Sequence, residues 1–191
     1  MKVLKGILLV VGIIVTLILV VAVFLPGTAV VTRTVEVNKP VETVFNYVAD
    51  YTNYIKWNAW SQMDPEAKSE LTGTPGEIGQ IYSWDGDIVG KGTLTLNELE
   101  PYSSIKGELV FISPMQGLAV DNWKFETLEN ATRIVWTFET ELGYPIGRFF
   151  GLMMDGQLGP QLDEGLSNIK TQIEALPEAE VVEEITDDIV E

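Results

Sequence analysis

Carboxylates, tyrosines and tryptophans are the side chains through which this chain could do chemistry, because histidine and cysteine are both absent. Histidine is the commonest general base near neutral pH and the commonest metal ligand, and cysteine supplies thiolates and disulfides. The composition therefore excludes a Ser-His-Asp triad, a histidine-ligated zinc site, a cysteine nucleophile and a disulfide framework. We predict no metal and no cofactor, and we assign no catalytic residue.

Three aspartates occupy positions that call for interpretation. Asp85 and Asp87 flank Gly86, and no further ligands follow at the spacing of a calcium loop, so we predict a solvated hairpin turn. Asp121 shares a strand face with Trp123 and Phe125. We favour a strand-end position in solvent for Asp121. The alternative is an inward position, where a buried carboxylate with a shifted pKa would be a polar anchor or an acid-base group.

Large aromatic residues alternate with polar ones and so define one apolar face of a predicted sheet. In one predicted strand Ile134, Trp136 and Phe138 share this face. Trp57 and Trp60 are assigned to core packing, whereas other large side chains suit either the core or the wall of a ligand cavity. The cavity candidates are Trp84, Phe111, Trp123, Phe125, Trp136, Phe138 and Met153.

Met153 belongs to a second apolar group with Phe149, Phe150 and Met154. Because methionine adapts to varied shapes, this group suits a cavity mouth, a membrane-contact edge or ordinary core, and we favour core. On a strand before Trp123, Gly107 is predicted to share the inward face, so that a larger residue there would fill a cavity.

The elements that position these residues form an α+β domain. Residues 29–37 predict a strand, Pro40 begins a helix that ends near Asp50, and 51–60 predict a short helix or tight loop. Short turns separate the next predicted strands, which indicates an antiparallel meander of segments 68–72, 78–84, 90–99, 104–112, 119–128 and 132–140. Two helices follow: a short apolar one over 146–154, and an amphipathic one that begins at Gly159-Pro160 and ends near Leu176.

The N-terminus carries an uncharged apolar run from Ile7 to Leu25. As a helix it would span about 28 Å, close to the ~30 Å hydrocarbon core of a bilayer. A cleaved signal peptide usually has a shorter apolar region that ends in small residues, so we favour an uncleaved anchor. Lys2 and Lys5 precede the run, which predicts a cytoplasmic N-terminus and an extracytoplasmic domain.

The net charge is −16, from 12 basic and 28 acidic residues. Binding to a phosphate backbone relies on clusters of Lys and Arg, which this sequence lacks, so we predict no nucleic-acid partner. Residues 177–191 contain acidic side chains and no basic ones, which is typical of a disordered tail. We therefore divide the chain into an anchor (1–27), one domain (28–176) and an acidic tail (177–191).

The order of these elements, with particular residues, resembles the START-like superfamily and its helix-grip fold. Within it the chain resembles membrane-anchored SRPBCC proteins of the polyketide cyclase/dehydrase and lipid transport type. The matching residues are Asn38-Lys39-Pro40-Val41-Glu42-Thr43-Val44-Phe45, Trp57-Asn58-Ala59-Trp60-Ser61, Asp64-Pro65, Gly79, Tyr82, Trp84, Gly90-Lys91-Gly92 and Gly165-Leu166-Ser167-Asn168-Ile169-Lys170.

The resemblance implies a curved antiparallel sheet of about seven strands wrapped around the C-terminal helix, with a cavity between them for lipids, polyketides or other apolar molecules. Because the family has no universal catalytic motif, no catalytic residue is carried over. Three functions stay open. The first is a membrane-anchored binding domain for an apolar or amphipathic, lipid-like molecule. The others are a cyclase-type enzyme and a protein-interaction module with a filled cavity.

Overall fold

The computed structural model describes residues 2–177, and the predicted acidic tail lies outside these residues except for Pro177. The chain begins with a long helix and continues with a strand, three short helices, six strands and a second long helix. The helices are α1 (Lys2–Phe24), α2 (Val41–Ala49), α3 (Tyr54–Trp57), α4 (Ala59–Met63) and α5 (Ile146–Glu174). The strands are β1 (Thr28–Val37), β2 (Lys68–Thr72), β3 (Ile81–Gly86), β4 (Gly90–Glu100), β5 (Ser104–Ser113), β6 (Gly117–Thr127) and β7 (Thr132–Glu141).

The strands form one antiparallel sheet in the order β1-β7-β6-β5-β4-β3-β2. Strands β2 to β7 are consecutive neighbours, as their short turns predicted, and β1 closes the sheet by pairing along its length with β7, from Thr28 opposite Glu141 to Val37 opposite Thr132. The sheet curves around α5, so the predicted helix-grip fold is confirmed. The predicted strand segments each match an observed strand, with ends that differ by a few residues.

Alternation along the strands separates a buried concave face from an outer face. In β7, Ile134, Trp136 and Phe138 are buried, and in β6 the buried positions include Asp121 and Trp123. The concave face packs on one side of α5, whose buried residues are Gly159, Leu162, Gly165, Leu166, Ile169 and Ile173. The core thus lies between the sheet face that the period of two residues identifies and the helix face that the period of 3.6 residues identifies.

The C-terminal helix is continuous from Ile146 to Glu174, so the expectation of two helices that divide before Gly159-Pro160 is wrong. Pro160 cannot donate a backbone hydrogen bond, and a proline in the interior of a helix usually kinks or breaks it. Here Arg33 of β1 packs against Gly159, where a Cβ would lie 1.8 Å from its Nη2 atom. The Arg33 guanidinium pairs with Asp155 at 2.9 Å and with Asp163 at 3.0 Å, one turn on each side of Gly159, and so supports the helix across the proline.

Residues 51–63 form two short helices instead of one helix or loop. The Asn58 side chain caps α4 by accepting from the Ser61 amide at 2.8 Å. Two amides of α5 hold α3 in place: Asn168 Nδ2 donates to the Trp57 carbonyl at 3.0 Å, and Gln172 Nε2 donates to the Lys56 carbonyl at 2.8 Å. These contacts fix an aromatic segment above the concave face of the sheet.

Helix α1 is long and apolar enough to cross a membrane from Val3 to Phe24. Its last turns contact the start of α5 and the loop before it. Arg148 Nη1 donates to the carbonyl of Ala22 at 2.9 Å, and Tyr144 Oη donates to the carbonyl of Leu19 at 2.9 Å. Because the last carbonyls of a helix lack partners within the helix, Arg148 acts as a C-terminal cap that joins α1 to the domain.

Candidate ligand cavity

A cavity of about 850 Å³ lies between the concave face of the sheet, the α3–α4 segment and α5. Its inner wall comes from buried residues of the strands and helices, among them Leu109, Trp136 and Leu162. The exposed members of the lining mark its mouth, which lies between Ile55, Gln157 and the β5–β6 turn of residues 113–117.

Aromatic rings make much of the wall and contact one another. Tyr82 stacks on Trp84 with centroids 6.1 Å apart, and Trp84 meets Phe111 edge to face at the same distance. On the other side Trp60 meets Trp136 edge to face at 6.4 Å. Aromatic pairs in these geometries are favourable, so these contacts stabilise the apolar wall of the cavity.

Asp121 is a carboxylate on this apolar wall and is 3% exposed. One oxygen accepts from Trp123 Nε1 at 2.8 Å and the other accepts from Trp136 Nε1. Burial raises the pKa of Asp121 to about 6, although the two indole hydrogen bonds favour the charged form and oppose the shift. Our expectation that Asp121 ends the strand in solvent is wrong, because β6 begins at Gly117 and Asp121 lies inside it.

The charge of Asp121 affects two neighbouring phenols. Burial raises the pKa of Tyr54 and of Tyr51 well above their usual range, and the negative charge of Asp121 adds to both shifts. Tyr54 lines the cavity, so its hydroxyl is held as a neutral hydrogen-bonding group.

Two other aspartates have structural roles. Asp64 lines the cavity, but its Oδ2 accepts from the amides of Ile88 at 2.8 Å and Val89 at 3.3 Å, which fixes the β3–β4 hairpin against α4. Asp85 pairs with Lys91 at 2.9 Å on the surface. Within residues 2–177, histidine, cysteine and carboxylate side chains form no group of three that could hold a metal ion.

The structure brings together part of the predicted cavity set. Trp84, Phe111, Trp136, Phe138 and Asp121 lie on the cavity wall, although their contact with a ligand stays a prediction. Two candidates lie elsewhere. Trp123 stacks on Trp136 and is not part of the lining, and Phe125 packs against Phe45 at 5.3 Å.

The prediction that Met153 lines the cavity is also wrong. It is 53% exposed on α5 and does not line the cavity, whereas Met154 does. Consecutive helix residues point about 100° apart, so the two methionines face different surroundings. Phe150 is exposed as well, so the expectation of ordinary core is wrong for Phe150 and Met153, whereas Met154 packs against the core.

Several residues of the cavity wall are absent from the predicted set. Trp60, which we predict to pack in the core, lines the cavity and contacts Trp136. Gln161 was not singled out, although its buried Oε1 lines the cavity without a hydrogen-bond partner in the described chain. It lies three residues after Leu158 on α5, so the two share a helix face, and this spacing was the available signal. By contrast, Trp57 is buried in the core, as predicted.

Comparison with known proteins agrees with this geometry. The family model of polyketide cyclase / dehydrase and lipid transport proteins matches residues 28–174. The Zhui aromatase/cyclase from Streptomyces sp. R1128 is 21% identical, with a TM-score of 0.55 over 77% of this chain and 94% of that chain. None of the curated proteins matches this chain.

Two further solved structures share the fold. The di-domain ARO/CYC StfQ from the steffimycin biosynthetic pathway is 11% identical, with a TM-score of 0.57 over 75% of this chain and 50% of that chain. DynU16 from the dynemicin biosynthetic locus is 16% identical, with a TM-score of 0.56 over 77% of this chain and 48% of that chain. The chain thus spans about half the length of these two proteins.

A seven-stranded antiparallel sheet that curves around a long C-terminal helix and encloses an apolar cavity defines a helix-grip domain of the START-like class. The match over residues 28–174 then gives the family: the chain belongs to the polyketide cyclase/dehydrase and lipid transport proteins.

Proposed function

We propose that this protein is a membrane-anchored domain that binds an apolar or amphipathic, lipid-like small molecule in the cavity between the sheet and α5. The observation that carries the proposal is the cavity of about 850 Å³ with a mostly aromatic and aliphatic wall. Ligand sites typically occupy ~300–1,000 Å³ and have apolar walls with a few polar groups. An open cavity of this size counts against the alternative of an interaction module with a filled core.

The charges on the wall narrow the class of ligand. Asp121 and Asp64 are carboxylates, and within the described chain no Lys or Arg side chain lines the cavity. A ligand carboxylate would lose its hydration there without gaining a cation, which is costly. Asp121 and the unpaired Oε1 of Gln161 are acceptors. The ligand that suits this wall is therefore uncharged or cationic at its polar end, with a hydroxyl, amide or amine donor.

A matched pair of probes tests this selectivity. A pyrene-labelled dodecanol and the corresponding pyrene-labelled dodecanoic acid have the same apolar body and differ in their polar end. Each is titrated into the full-length protein in nanodiscs, with empty nanodiscs as the background, and energy transfer from tryptophan to pyrene reports binding. We expect the alcohol to bind at least about tenfold more tightly than the acid, a difference of ~1.4 kcal/mol. Equal affinity, or tighter binding of the acid, would contradict the selectivity, and binding of neither probe would count against the function.

Asp121 supports a second candidate function, that of an enzyme of the cyclase type. Its pKa of about 6 suits proton transfer near neutral pH, and it lies on the cavity wall. Both of its oxygens already accept indole hydrogen bonds, which favours a positioning role. Native mass spectrometry of the purified protein separates the two functions. A carrier releases the molecule that it bound unchanged, whereas an enzyme converts it and loses this conversion in Asp121→Asn.

We also propose the division into an anchor (1–27), a binding domain (28–176) and a tail (177–191), with the N-terminus cytoplasmic and the domain outside. The apolar length of α1 supports the anchor. The contacts of Arg148 and Tyr144 with the carbonyls of α1 support its retention in the mature protein, because cleavage after the helix would remove their partners.

A further inference from the structure

Six exposed apolar side chains lie near the β5–β6 turn and near the start of α5. We call them the apolar rim: Met115, Leu118, Tyr144, Ile146, Phe150 and Met153. Ile146, Phe150 and Met153 follow one another at spacings of four and three residues, so they form a stripe along the start of α5. Several exposed apolar side chains at one edge of a domain are typical of an interaction site.

One residue of the rim, Leu118, lies on a strand, and the register of the sheet shows that it is at the edge where α1 joins the domain. Thr28, the first residue of β1, pairs with Glu141 at the end of β7, and Ala119 near the start of β6 pairs with Thr140. The start of β6 is thus two strand spacings from the start of β1, about 10 Å. Leu118 belongs to this start of β6, and three residues, 25–27, connect β1 to α1.

The mouth of the cavity opens at the same edge. The β5–β6 turn of residues 113–117 lines the mouth, and Met115 within it is 78% exposed. On the opposite side of the mouth, Met154 and Gln157 of α5 line the cavity, next to Met153 of the rim. The rim therefore borders the opening through which a ligand enters.

Contacts with α1 set the depth of this edge relative to the anchor. Tyr144 Oη donates to the carbonyl of Leu19, five residues before the last residue of α1. Five residues correspond to about 7 Å along a helix, so the Tyr144 loop lies beside the end of α1 and not beyond it. If α1 crosses a bilayer, Tyr144 and Arg148 lie at the level of the headgroups, where tyrosine and arginine are favoured.

We infer that the apolar rim rests in the interface of the bilayer leaflet next to the carboxyl end of α1, so that the cavity opens toward the lipid and the ligand is exchanged with the membrane. This inference rests on the proposed function in taking α1 as a membrane anchor. The bilayer is the occupant because the rim is continuous with the anchor and level with its last turns. Burial of the rim stabilises the contact by the hydrophobic effect, and the net charge of −16 makes zwitterionic lipid the better surface.

Site-specific labels test the position of the rim. Because the chain has no cysteine, Leu118→Cys and Phe150→Cys each carry a single environment-sensitive fluorophore. The matched control is Ser103→Cys, in the exposed turn between β4 and β5 at the opposite edge of the sheet. Each full-length variant is reconstituted in phosphatidylcholine nanodiscs with and without lipids that carry a nitroxide near the headgroup. We expect quenching at 118 and 150 to exceed quenching at 103 severalfold, and equal quenching at all three positions would overturn the inference.

A charge-introducing variant tests the exchange route. Leu118 and Phe150 do not line the cavity, so the double variant Leu118→Glu/Phe150→Glu leaves the binding wall intact. In detergent its affinity for pyrene-labelled dodecanol should equal that of the wild type. Its uptake of the same probe from phosphatidylcholine vesicles should be at least severalfold slower, because two carboxylates oppose insertion of the rim. An unchanged uptake rate would overturn the exchange route.

The two proposals fail separately. If the rim labels are quenched and the probe does not bind in detergent, the proposed function is wrong and the membrane contact of the rim stands. If the probe binds and the rim labels behave like the label at Ser103, the proposed function stands and the rim inference is wrong.

Discussion

Trp123 and Trp136 are direct partners across β6 and β7, and their indole rings stack with centroids 4.3 Å apart and planes 16° apart. Both indole N–H groups donate to the same carboxylate, Asp121. Trp57 meets both rings edge to face, at 5.7 and 5.6 Å. The stack therefore removes Asp121 from water and also supplies its hydrogen bonds, so one strand pair positions the polar group of the cavity.

The first prediction concerns pH. The pKa of Asp121 is raised from its usual value of 3.8 to about 6. At a pH between these two values, Asp121 is protonated in the folded state, whereas it is ionised in the unfolded chain. This group therefore favours folding most below pH ~4, and that contribution is lost as the pH rises through ~6. The loss is on the order of 3 kcal/mol for a shift of this size.

Asp121→Asn measures this contribution, because it keeps an oxygen acceptor and cannot ionise. The free energy of unfolding of wild type minus that of the variant should fall between pH 4 and pH 7. Asp155 and Glu174, whose pKa values are lowered by hydrogen bonds from Arg33 and Lys170, are present in both proteins and cancel in the difference. A difference that does not change with pH would show that Asp121 is not buried as the structure has it.

The inward face of the sheet was predictable, because Ile134, Trp136 and Phe138 alternate with polar residues and only one face of the sheet is buried. The place of Asp121 was not. The predicted strand began at residue 119, which left Asp121 near its end, whereas β6 begins at Gly117. The indole partners of Asp121 depend on the pairing of Trp123 with Trp136, which alternation within one strand does not specify.

The course of α5 shows a second limit of local patterns. Gly159-Pro160 is a helix-start signal by local chemistry, yet the helix continues through it. The deciding contact is Arg33, which is 126 residues away from Gly159 and bridges Asp155 and Asp163. Tertiary contacts of this kind override local propensity, and neither the continuous helix nor the exposed stripe of Ile146, Phe150 and Met153 follows from spacing alone.

The second prediction tests the packing of α5 on the sheet. Leu166 is buried at the centre of the apolar side of α5, and its neighbour Ser167 is exposed. Leu166→Asp would bury an unpaired carboxylate and cost several kcal/mol of a typical ~5–15 kcal/mol of stability, so we expect a largely unfolded domain. Ser167→Asp introduces the same charge on the same helix and should melt like the wild type. Similar melting temperatures for the two variants would contradict the observed packing.

The third prediction concerns the topology that we propose for α1. Thr72→Cys places a single thiol on the exposed strand β2 of a chain that otherwise has none. A maleimide that cannot cross membranes should label this variant in intact spheroplasts as fully as after lysis, because the domain lies outside the cytoplasm. Labelling that appears after lysis alone would reverse the orientation, with Lys2 and Lys5 then on the outer side.

The last prediction separates the cavity from the core through two glycines. The sequence pattern predicts that Gly107 lies on the cavity face, but a Cβ there would lie 2.8 Å from Leu94 Cδ1 and 3.0 Å from Tyr51 Oη, inside the packed core. Gly107→Leu should therefore cost about 1–3 kcal/mol of stability by overpacking. Gly117 differs, because it lines the cavity mouth and a Cβ there would meet Phe111 at an ordinary 3.9 Å.

Gly117→Phe should thus weaken binding of pyrene-labelled dodecanol at least severalfold while the melting temperature stays close to that of the wild type. Gly156→Phe is the matched control, since Gly156 lies on the exposed side of α5, where a Cβ meets no atom within 4 Å. Thermal melts and probe titrations are made on all three variants. If Gly117→Phe binds the probe as Gly156→Phe does, the probe does not enter through the mouth beside the β5–β6 turn, and the assignment of this cavity as the binding site fails.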